Sequence, residues 1–145
     1  MPASALFSII TPSFNQARYL EQTMLSVLGQ DYPDIEYWVV DGGSTDGSVD
    51  IIRKYAPRLA GWVSEQDSGQ ADAVNKGFAR ASGEYVAWLN SDDLYYPGAL
   101  KEAARALEAN PTAPFVFSDV ESIDGTGRAF NRMRYGAWGL ADLMR

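Results

Sequence analysis

The 145-residue sequence predicts an α/β fold, in which helices flank a mostly parallel sheet. Short apolar runs of strand character alternate with segments whose apolar residues recur at helical spacing. Each early apolar run also ends in a loop rich in Gly, Asp, Ser or Asn. Right-handed crossovers place the helices on the faces of such a sheet, so the strands should be parallel and these loops should meet at one edge.

The amino-acid composition excludes some kinds of site and argues against some binding partners. The length and the 46% hydrophobic content suit one domain over residues 1–145. The absence of cysteine excludes disulfides, and the absence of histidine leaves acid–base chemistry to carboxylates, Lys or Tyr. A formal charge of -7 argues against nonspecific nucleic-acid binding. The sequence has neither a signal-like start nor a run of membrane-spanning length, so we expect a cytoplasmic chain with no transmembrane segment.

The first strand–helix unit begins with the apolar run 6–10, which is followed by Thr11-Pro12-Ser13. Proline has no N–H to donate to a ladder, so we expect the strand to end there. Apolar residues then recur at helical spacing from Ala17 to Gly29. This spacing predicts a helix, with Asn15 as its cap and Gly29 as its stop.

The second unit repeats the pattern, with a strand over 35–40 and a helix over 48–55 that Thr45 or Asp46 would cap. The strand ends at Asp41, which two glycines follow. Glycines allow close backbone approach and would leave this carboxylate free to accept from a ligand N–H, such as a nucleobase imide. The alternative is a hairpin-like Asp-Gly turn, which the following helical pattern disfavours.

The third unit is predicted as a strand over 62–64 and a helix over 71–81, with Gly83 as its exit. The buried strand 85–89 follows and ends at Asn90-Ser91-Asp92-Asp93. Two adjacent carboxylates repel each other, and a divalent cation, which prefers carboxylate oxygen, would relieve the repulsion. An ordinary turn is the alternative interpretation of these four residues.

The last third of the chain predicts a helix from Pro97 to about Asn110 and a strand over 115–120. One face of that helix should carry Leu100, Ala104 and Leu107. A turn over 124–127 leading into 128–130 and a helix over 138–145 complete the pattern.

Four polar loops should therefore converge at the carboxyl edge of the sheet, where α/β proteins bind ligands. They contain Thr11-Pro12-Ser13, Asp41-Gly42-Gly43, Asp67-Ser68-Gly69 and Asn90-Ser91-Asp92-Asp93. Neither a dinucleotide fingerprint nor a P-loop is present. A divalent ion at Asp92 would neutralise the charge of a bound phosphate. Lys76 and Arg80 would either assist it or lie on a solvated helix face. The pattern indicates group transfer.

Four ordered motifs resemble family 2 glycosyltransferases of the Rossmann-like GT-A fold, and they are closest in wording to bacterial polysaccharide and O-antigen sugar transferases. The motifs are the segments 10–15, 40–48, 72–77 and 88–93. The resemblance implies an inverting transfer from a nucleotide-diphosphate sugar, UDP-linked, to the hydroxyl of a saccharide or lipid-linked acceptor. It also implies Mg²⁺ or Mn²⁺ as cofactor and a peripheral place at the inner membrane face.

The resemblance also implies roles for single residues. Those matching nucleotide-binding positions are Thr11, Pro12, Ser13, Asp41, Gly69, Gln70, Asn75, Asn90 and Ser91. Among them, Asp41 would face the base and Ser91 would lie beside the ribose. Asp92 matches the principal metal ligand and Asp93 a weaker one. Asn90 stands where the family's Asp-x-Asp signature has its first acidic residue, which lowers the local negative charge.

The general base has no clear match. Family members usually run well beyond this length, and the carboxylate that deprotonates the acceptor lies in their later half. Asp119 and Glu121 are candidates, with exposed strand residues as the alternative interpretation. We therefore expect a donor-binding part that lacks the acceptor half, and a non-catalytic nucleotide-sugar-binding module is the competing hypothesis. A nucleotidyltransferase is disfavoured because residues 11–15 are not a Lys- or Arg-rich triphosphate loop.

Overall fold

The computed structural model describes residues 5–135, which form six strands and four α-helices. The strands are β1 (Phe7–Ser13), β2 (Ile35–Asp41), β3 (Gly61–Ser64), β4 (Tyr85–Trp88), β5 (Val120–Ile123) and β6 (Ala129–Met133). The helices are α1 (Ala17–Leu28), α2 (Ser48–Tyr55), α3 (Gln70–Phe78) and α4 (Ala99–Ala109), with a 3₁₀ turn at Ala56–Arg58. The predicted helix over 138–145 lies outside the described residues.

The chain groups into two compact units, one up to Glu102 and the other from Ala103. In the first unit, β1 to β4 form one all-parallel sheet in the order β3-β2-β1-β4, which confirms the predicted sheet. β2 lies beside β1 and β3 lies beside β2, whereas β4 pairs with the opposite side of β1. This reversal between β1 and β4 opens a crevice beyond their carboxyl ends.

The core lies around the two central strands. All seven residues of β1 are buried. On one face, Ile10 and Val40 pack with Ala73 of α3. Alternate strand residues point to the opposite face, where Ile9 and Val39 are equally buried. Burial on both faces is what a parallel sheet between helix layers requires.

The prediction that proline ends the first strand is wrong, because β1 runs through Pro12 to Ser13. The carbonyl of Ile10 accepts from the Leu89 N–H on the β4 side, and the carbonyl of Ser13 accepts from the Gly42 N–H on the β2 side. Alternate residues of a strand point to opposite neighbours, so Pro12 faces β4. β4 pairs with β1 only as far as Ile10, so the missing N–H breaks no ladder bond.

Within residues 5–135, the predicted buried strand over 85–89 lies at the edge of the sheet, so its burial was wrongly predicted. It covers Tyr85–Trp88 and pairs on one side with β1. Val86 and Trp88 are 54% and 55% exposed. An apolar run fits both a buried strand and an edge strand, and the strand order decides between them.

Three helix boundaries differ from prediction. Asn15 does not cap α1; it adopts a left-handed φ of 52°, and its Oδ1 accepts from the Thr45 N–H at 2.9 Å. α3 ends at Phe78, three residues early. α4 begins at Ala99 rather than Pro97, because the φ of 82° at Gly98 is incompatible with a helix. The predicted bounds of α2 are confirmed, as is the buried face of Leu100, Ala104 and Leu107.

The second unit contains an antiparallel hairpin of β5 and β6. The predicted strand over 115–120 is wrong, since strand structure begins only at Val120. The predicted turn is confirmed: Gly127 N–H donates to the Asp124 carbonyl at 2.8 Å, and Asp124 Oδ1 accepts from Thr126 and Arg128. Over residues 5–135, no helix is both long and apolar enough to cross a bilayer.

Candidate functional site

An open cleft of about 790 Å³ lies beyond the carboxyl ends of β1, β2 and β4, at the predicted edge. The loops that follow all four parallel strands contribute to its walls. The predicted site residues that line it are Pro12, Ser13, Gly69, Gln70, Asn90, Ser91 and Asp92. Thr11, Asp41, Asn75 and Asp93 were also predicted there, but they do not line it.

Asp41 is completely buried, and its carboxylate is already occupied. It accepts from the N–H groups of Gly43 and Ser44 at 3.1 and 2.9 Å. The hydroxyls of Ser44 and Ser64 donate to it at 2.5 and 2.7 Å. These four donors compensate the cost of burying a charge. The expectation of a free carboxylate is wrong; Asp41 organises the loop after β2, and its base-facing role stays a prediction.

Thr11 is also buried, and its hydroxyl lies 2.8 Å from the Tyr37 hydroxyl. Burial raises the pKa of Tyr37 well above its usual value, so this phenol stays neutral. The two hydroxyls satisfy each other inside the core, as buried polar groups must. A nucleotide contact by the Thr11 side chain stays a prediction.

Two cationic residues predicted as possible phosphate partners are Lys76, on α3, and Arg80, two residues beyond its end. Lys76 Nζ lies 3.0 Å from Glu65 and 3.2 Å from Asp72, and its hydrogen bond with Glu65 raises its pKa. Arg80 donates to the Lys76 carbonyl at 2.7 Å. Neither lines the cleft, and neither does the exposed Asn75. The structure therefore favours the helix-face interpretation of Lys76 and Arg80.

Ser13 and Ser91 bring hydroxyl groups to the cleft wall. Both side chains are buried, at 4% and 6% exposure, and both line the cleft. Over residues 5–135, Ser13 Oγ has no hydrogen-bond partner. Because buried hydroxyls are almost always satisfied, this orphaned group is available to a ligand in the cleft.

The cleft-lining residues that were assigned no role from the sequence include Phe14, Gln16 and Asp67. Phe14 is 60% exposed and presents an aromatic ring to the cleft. Asp67 Oδ1 accepts from the Gly69 N–H at 2.8 Å, while Oδ2 lies against Gly42, where an added Cβ would come within 2.8 Å. The position of Asp67 in the third polar loop was the available signal, but the sequence alone does not show that this carboxylate reaches the second loop.

Asp46 connects the first two loops from outside the cleft. Its Oδ2 accepts from the Ala17 N–H at the start of α1, at 2.8 Å. Its Oδ1 accepts from the N–H and hydroxyl of Ser48 at the start of α2, at 3.0 and 2.6 Å. Burial, which would raise the pKa of Asp46, is outweighed by the hydrogen bonds from Ser48 and Ala17, so the pKa lies below its usual value. The N-cap of α2 is Gly47, with no side-chain cap hydrogen bond, so the predicted cap at Thr45 or Asp46 is wrong. Asp46 instead accepts from the first residue of α2, and a second contact with α1 accompanies it.

The loop after β4 separates the two aspartates. Asp92 lines the cleft, and its carboxylate has no hydrogen bond or ion pair within the described chain. Asp93 does not line the cleft. Its Oδ2 accepts from Asn90 Nδ2 at 3.0 Å, and its backbone carbonyl accepts from Thr23 Oγ1 at 2.9 Å. The arrangement leaves one free carboxylate at the cleft, beside the hydroxyl of Ser91.

Sequence comparison identifies the family. The family model for "Glycosyl transferase family 2" matches residues 8–142, nearly the whole chain. The chain belongs to this family. A Bacillus subtilis relative named "Putative teichuronic acid biosynthesis glycosyltransferase TuaG" is 40% identical over 125 residues, which are 83% of this chain and 50% of TuaG. An uncharacterized glycosyltransferase of Nostoc sp. is 36% identical over 128 residues, which are 86% of this chain and 39% of that protein.

Solved structures agree with the family assignment. TarS 1-349 of S. aureus in complex with UDP-GlcNAc matches with a TM-score of 0.67 and 31% identity, over 73% of this chain and 32% of the TarS 1-349 chain. The mannosyltransferase PcManGT of Pyrobaculum calidifontis, in complex with GDP-Man and Mn²⁺, matches with a TM-score of 0.70 and 32% identity. The match covers 84% of this chain and 36% of the PcManGT chain. The predicted GT-A fold is confirmed. The family 2 chain spans 39% and 50% of the length of the two relatives, and 32% and 36% of the chains in the two solved structures.

The cleft of this family 2 chain fits a divalent cation that a diphosphate helps to hold. Its charged lining residues are Asp67 and Asp92, and none of the described lining residues is Lys or Arg. No group of three or more potential ligands among His, Cys, Asp and Glu occurs in residues 5–135. Mg²⁺ commonly binds through one or two carboxylates together with substrate phosphates. The donor set therefore fits a shared ion and does not fit an all-protein cage.

The two candidate bases are paired within the hairpin unit. Asp119 Oδ2 lies 3.3 Å from Arg132 Nη2, and Asp119 Oδ1 accepts from the Tyr135 N–H at 3.2 Å. Glu121 Oε1 lies 3.9 Å from Arg132 Nη1. These ion pairs favour a structural role for both carboxylates in the family 2 chain, and neither is assigned as the base.

Proposed function

We propose that this chain forms the donor site of an inverting glycosyltransferase, which uses a UDP-linked sugar in polysaccharide or O-antigen synthesis. The observation that carries the proposal is the free Asp92 carboxylate beside Ser91, in a cleft whose described lining has no cationic side chain. TarS in complex with UDP-GlcNAc and the name of TuaG support the donor class and the pathway class. A saccharide or lipid-linked acceptor is proposed with it, and the latter would place the enzyme peripherally at the inner membrane face.

The cleft supplies a contact for each part of the donor. The exposed ring of Phe14 offers a stacking surface to the nucleobase. The hydroxyls of Ser13 and Ser91, which line the cleft, would contact ribose or phosphate oxygens. Base recognition by Asp41 and nucleotide contacts by Thr11 and Asn75 remain part of the proposal. Asp92 would hold Mg²⁺ or Mn²⁺, whereas the weaker ligand role predicted for Asp93 would require its side chain to leave Asn90.

In the proposed reaction, an acceptor hydroxyl oxygen attacks the anomeric carbon from the face opposite the diphosphate. The new C–O bond forms as the bond to the diphosphate breaks, the nucleoside diphosphate leaves with the bonding electrons, and a base takes the hydroxyl proton. In-line attack inverts the anomeric centre. A bound divalent ion supplies charge stabilisation to the departing diphosphate. Asp92 orients that end of the donor.

The test is calorimetric titration of UDP with and without Mn²⁺. We expect Mn²⁺ to tighten UDP binding, and Asp92→Asn to reduce that gain by at least about tenfold because the only free carboxylate of the loop is lost. Asp50→Asn removes a charge from the exposed surface of α2 and should leave the gain intact. UDP binding that is indifferent to Mn²⁺ would contradict the proposal. Tighter binding of GDP than of UDP would contradict only the proposed uridine nucleotide, and the rest of the proposal would stand.

A second candidate function is recognition of the nucleotide sugar without transfer. The pairing of Asp119 and Glu121 with Arg132 favours it, because this pairing leaves the described chain without an assigned base. The two candidates are separated by incubating the chain with a radiolabelled UDP-sugar and saccharide acceptors. Labelled saccharide product would exclude the binding module, whereas donor hydrolysis alone would not.

A further inference from the structure

The loop from Asn90 to Asp93 is fixed from both sides. It closes as a turn, because the Asp93 N–H donates to the Asn90 carbonyl at 3.1 Å. Thr23, which is fully buried on α1, donates its hydroxyl to the Asp93 carbonyl at 2.9 Å. The positions of the side chains on this loop are therefore set by α1 as well as by β4.

Both ends of the Asn90 amide are used inside the chain. Its Oδ1 accepts from Gln70 Nε2 at 2.6 Å, and its Nδ2 donates to Asp93 Oδ2 at 3.0 Å. Gln70 is the first residue of α3 and lines the same cleft as Asn90. One amide thus joins the loop after β4 to the start of α3, and it holds Asp93 at the same time.

A carboxylate at position 90 could not replace this amide. An aspartate there would place one carboxylate oxygen about 3 Å from another on Asp93, and like charges at that distance repel strongly. The neutral amide donates instead, which keeps the Asp93 side chain directed at Asn90 and out of the cleft lining. Asp92 remains the single carboxylate that this loop presents to the cleft.

We infer that Asn90 is a positioning residue that makes divalent-cation binding depend on the nucleotide. By holding Asp93 away and contributing no charge, it leaves a site that is too weakly anionic to retain Mg²⁺ or Mn²⁺ by itself. The diphosphate of the donor supplies the missing oxygen ligands, so the ion and the nucleotide bind together. The inference rests on the proposed donor-site function and explains why an amide precedes Ser91 and Asp92.

The test counts bound Mn²⁺ directly by electron paramagnetic resonance of the free aqueous ion, with no nucleotide present. The wild-type chain should retain little Mn²⁺. Asn90→Asp places a second carboxylate near Asp92 and releases Asp93, so its Mn²⁺ affinity should rise by about tenfold or more, since charge count tunes such sites. Gln22→Glu adds the same charge at an exposed position of α1 and should change nothing. In Asn90→Asp/Asp92→Asn, the gain should disappear.

A second measurement separates positioning from folding. Asn90→Ala removes both amide hydrogen bonds and so releases Asp93 without adding a charge. Without nucleotide it should retain more Mn²⁺ than the wild-type chain and less than Asn90→Asp, and its melting temperature shows whether the variant is folded. The inference is overturned if the wild-type chain binds Mn²⁺ alone as tightly as Asn90→Asp, or if Asn90→Asp gains nothing while UDP binding remains Mn²⁺-dependent. If no variant binds UDP with Mn²⁺, the proposed function fails and the inference falls with it.

Discussion

The Asp46 carboxylate satisfies N–H groups at the start of two helices, which otherwise have no intrahelical partner. The partial positive charge at both helix starts also favours an anion there. Asp46→Ala should lower the free energy of unfolding by about 1–2 kcal/mol, the usual cost of losing side-chain hydrogen bonds at a helix start. Urea denaturation at neutral pH measures the loss.

The matched control for Asp46 is Asp50→Ala. Asp50 pairs with Arg53 at 3.1 Å, but both side chains are largely exposed, so the pair should contribute well under about 1 kcal/mol. Equal losses in the two variants would show that Asp46 acts as a general surface charge and not through its hydrogen bonds to the two helix starts.

Phe14 gives the most direct test of where the base lies. Base–aromatic stacking contributes about 1–3 kcal/mol per base, so Phe14→Ala should weaken UDP binding roughly five- to 150-fold while pyrophosphate binding stays unchanged. Isothermal titration measures both ligands. Leu25→Ala removes an exposed apolar residue of α1 that does not line the cleft, and it should leave both affinities unaltered. A parallel loss for pyrophosphate would mean that Phe14 shapes the phosphate end.

At the residue scale, the sequence predicts the right loops but not every side-chain direction. The polar end of β4 correctly brings Ser91 and Asp92 to the cleft, because strand ends of a parallel sheet share one edge. The burial of Asp41 was not predictable, since one of its donors, Ser64, is 23 positions away on another strand. A motif fixes the spacing of residues, whereas the donors around a carboxylate depend on which strands become neighbours.

At the element scale, apolar periodicity predicted the parallel sheet and the bounds of α2. The missed boundaries have local or topological causes. Gly98 delays α4 through its left-handed φ, which the sequence does not specify. The continuation of β1 through Pro12 depends on the strand order, because proline is tolerated where no partner needs its N–H.

Gly77 shows how closely α3 approaches β1. A Cβ at this position would lie 2.4 and 2.6 Å from two carbons of the fully buried Ile10. Alanine would gain about 1 kcal/mol of helix propensity, but overpacking a core typically costs about 1–3 kcal/mol. Gly77→Ala should therefore lower the free energy of unfolding by up to about 2 kcal/mol in urea denaturation.

Asn75→Ala, on the exposed side of the same helix, is the control for Gly77. The alanine side chain is exposed there, so this variant should be as stable as wild type or more stable by about 0.3 kcal/mol, because alanine is the better helix former. A Gly77→Ala variant more stable than wild type would mean that α3 can move away from the sheet at little cost.

At the scale of the whole molecule, acid should destabilise the fold. The carboxyl groups with a pKa below the ordinary value are Glu21, Glu36, Asp46, Asp72 and Asp124. In Glu36, burial, which raises the pKa, is outweighed by hydrogen bonds from Ser8 and Ser82. As pH falls below about 4.5, the unfolded chain takes up protons first, so stability present at neutral pH is lost.

Urea denaturation at about pH 3, 5.5 and 7.5 tests this dependence. The free energy of unfolding should be lowest at the most acidic value and nearly equal at the other two, because the sequence has no histidine to titrate between them. A marked difference between the two higher values would require a shifted carboxyl or amine outside those described above.

Pro12 limits how far β1 and β4 can pair, because its backbone nitrogen has no hydrogen to donate. The next rung of the ladder would run from the N–H of residue 12 to the carbonyl of Leu89, and proline has no hydrogen there to give. This one rung therefore cannot form, whatever the position of Leu89. The paired part of β1 and β4 ends before Pro12 and Asn90, both of which line the cleft.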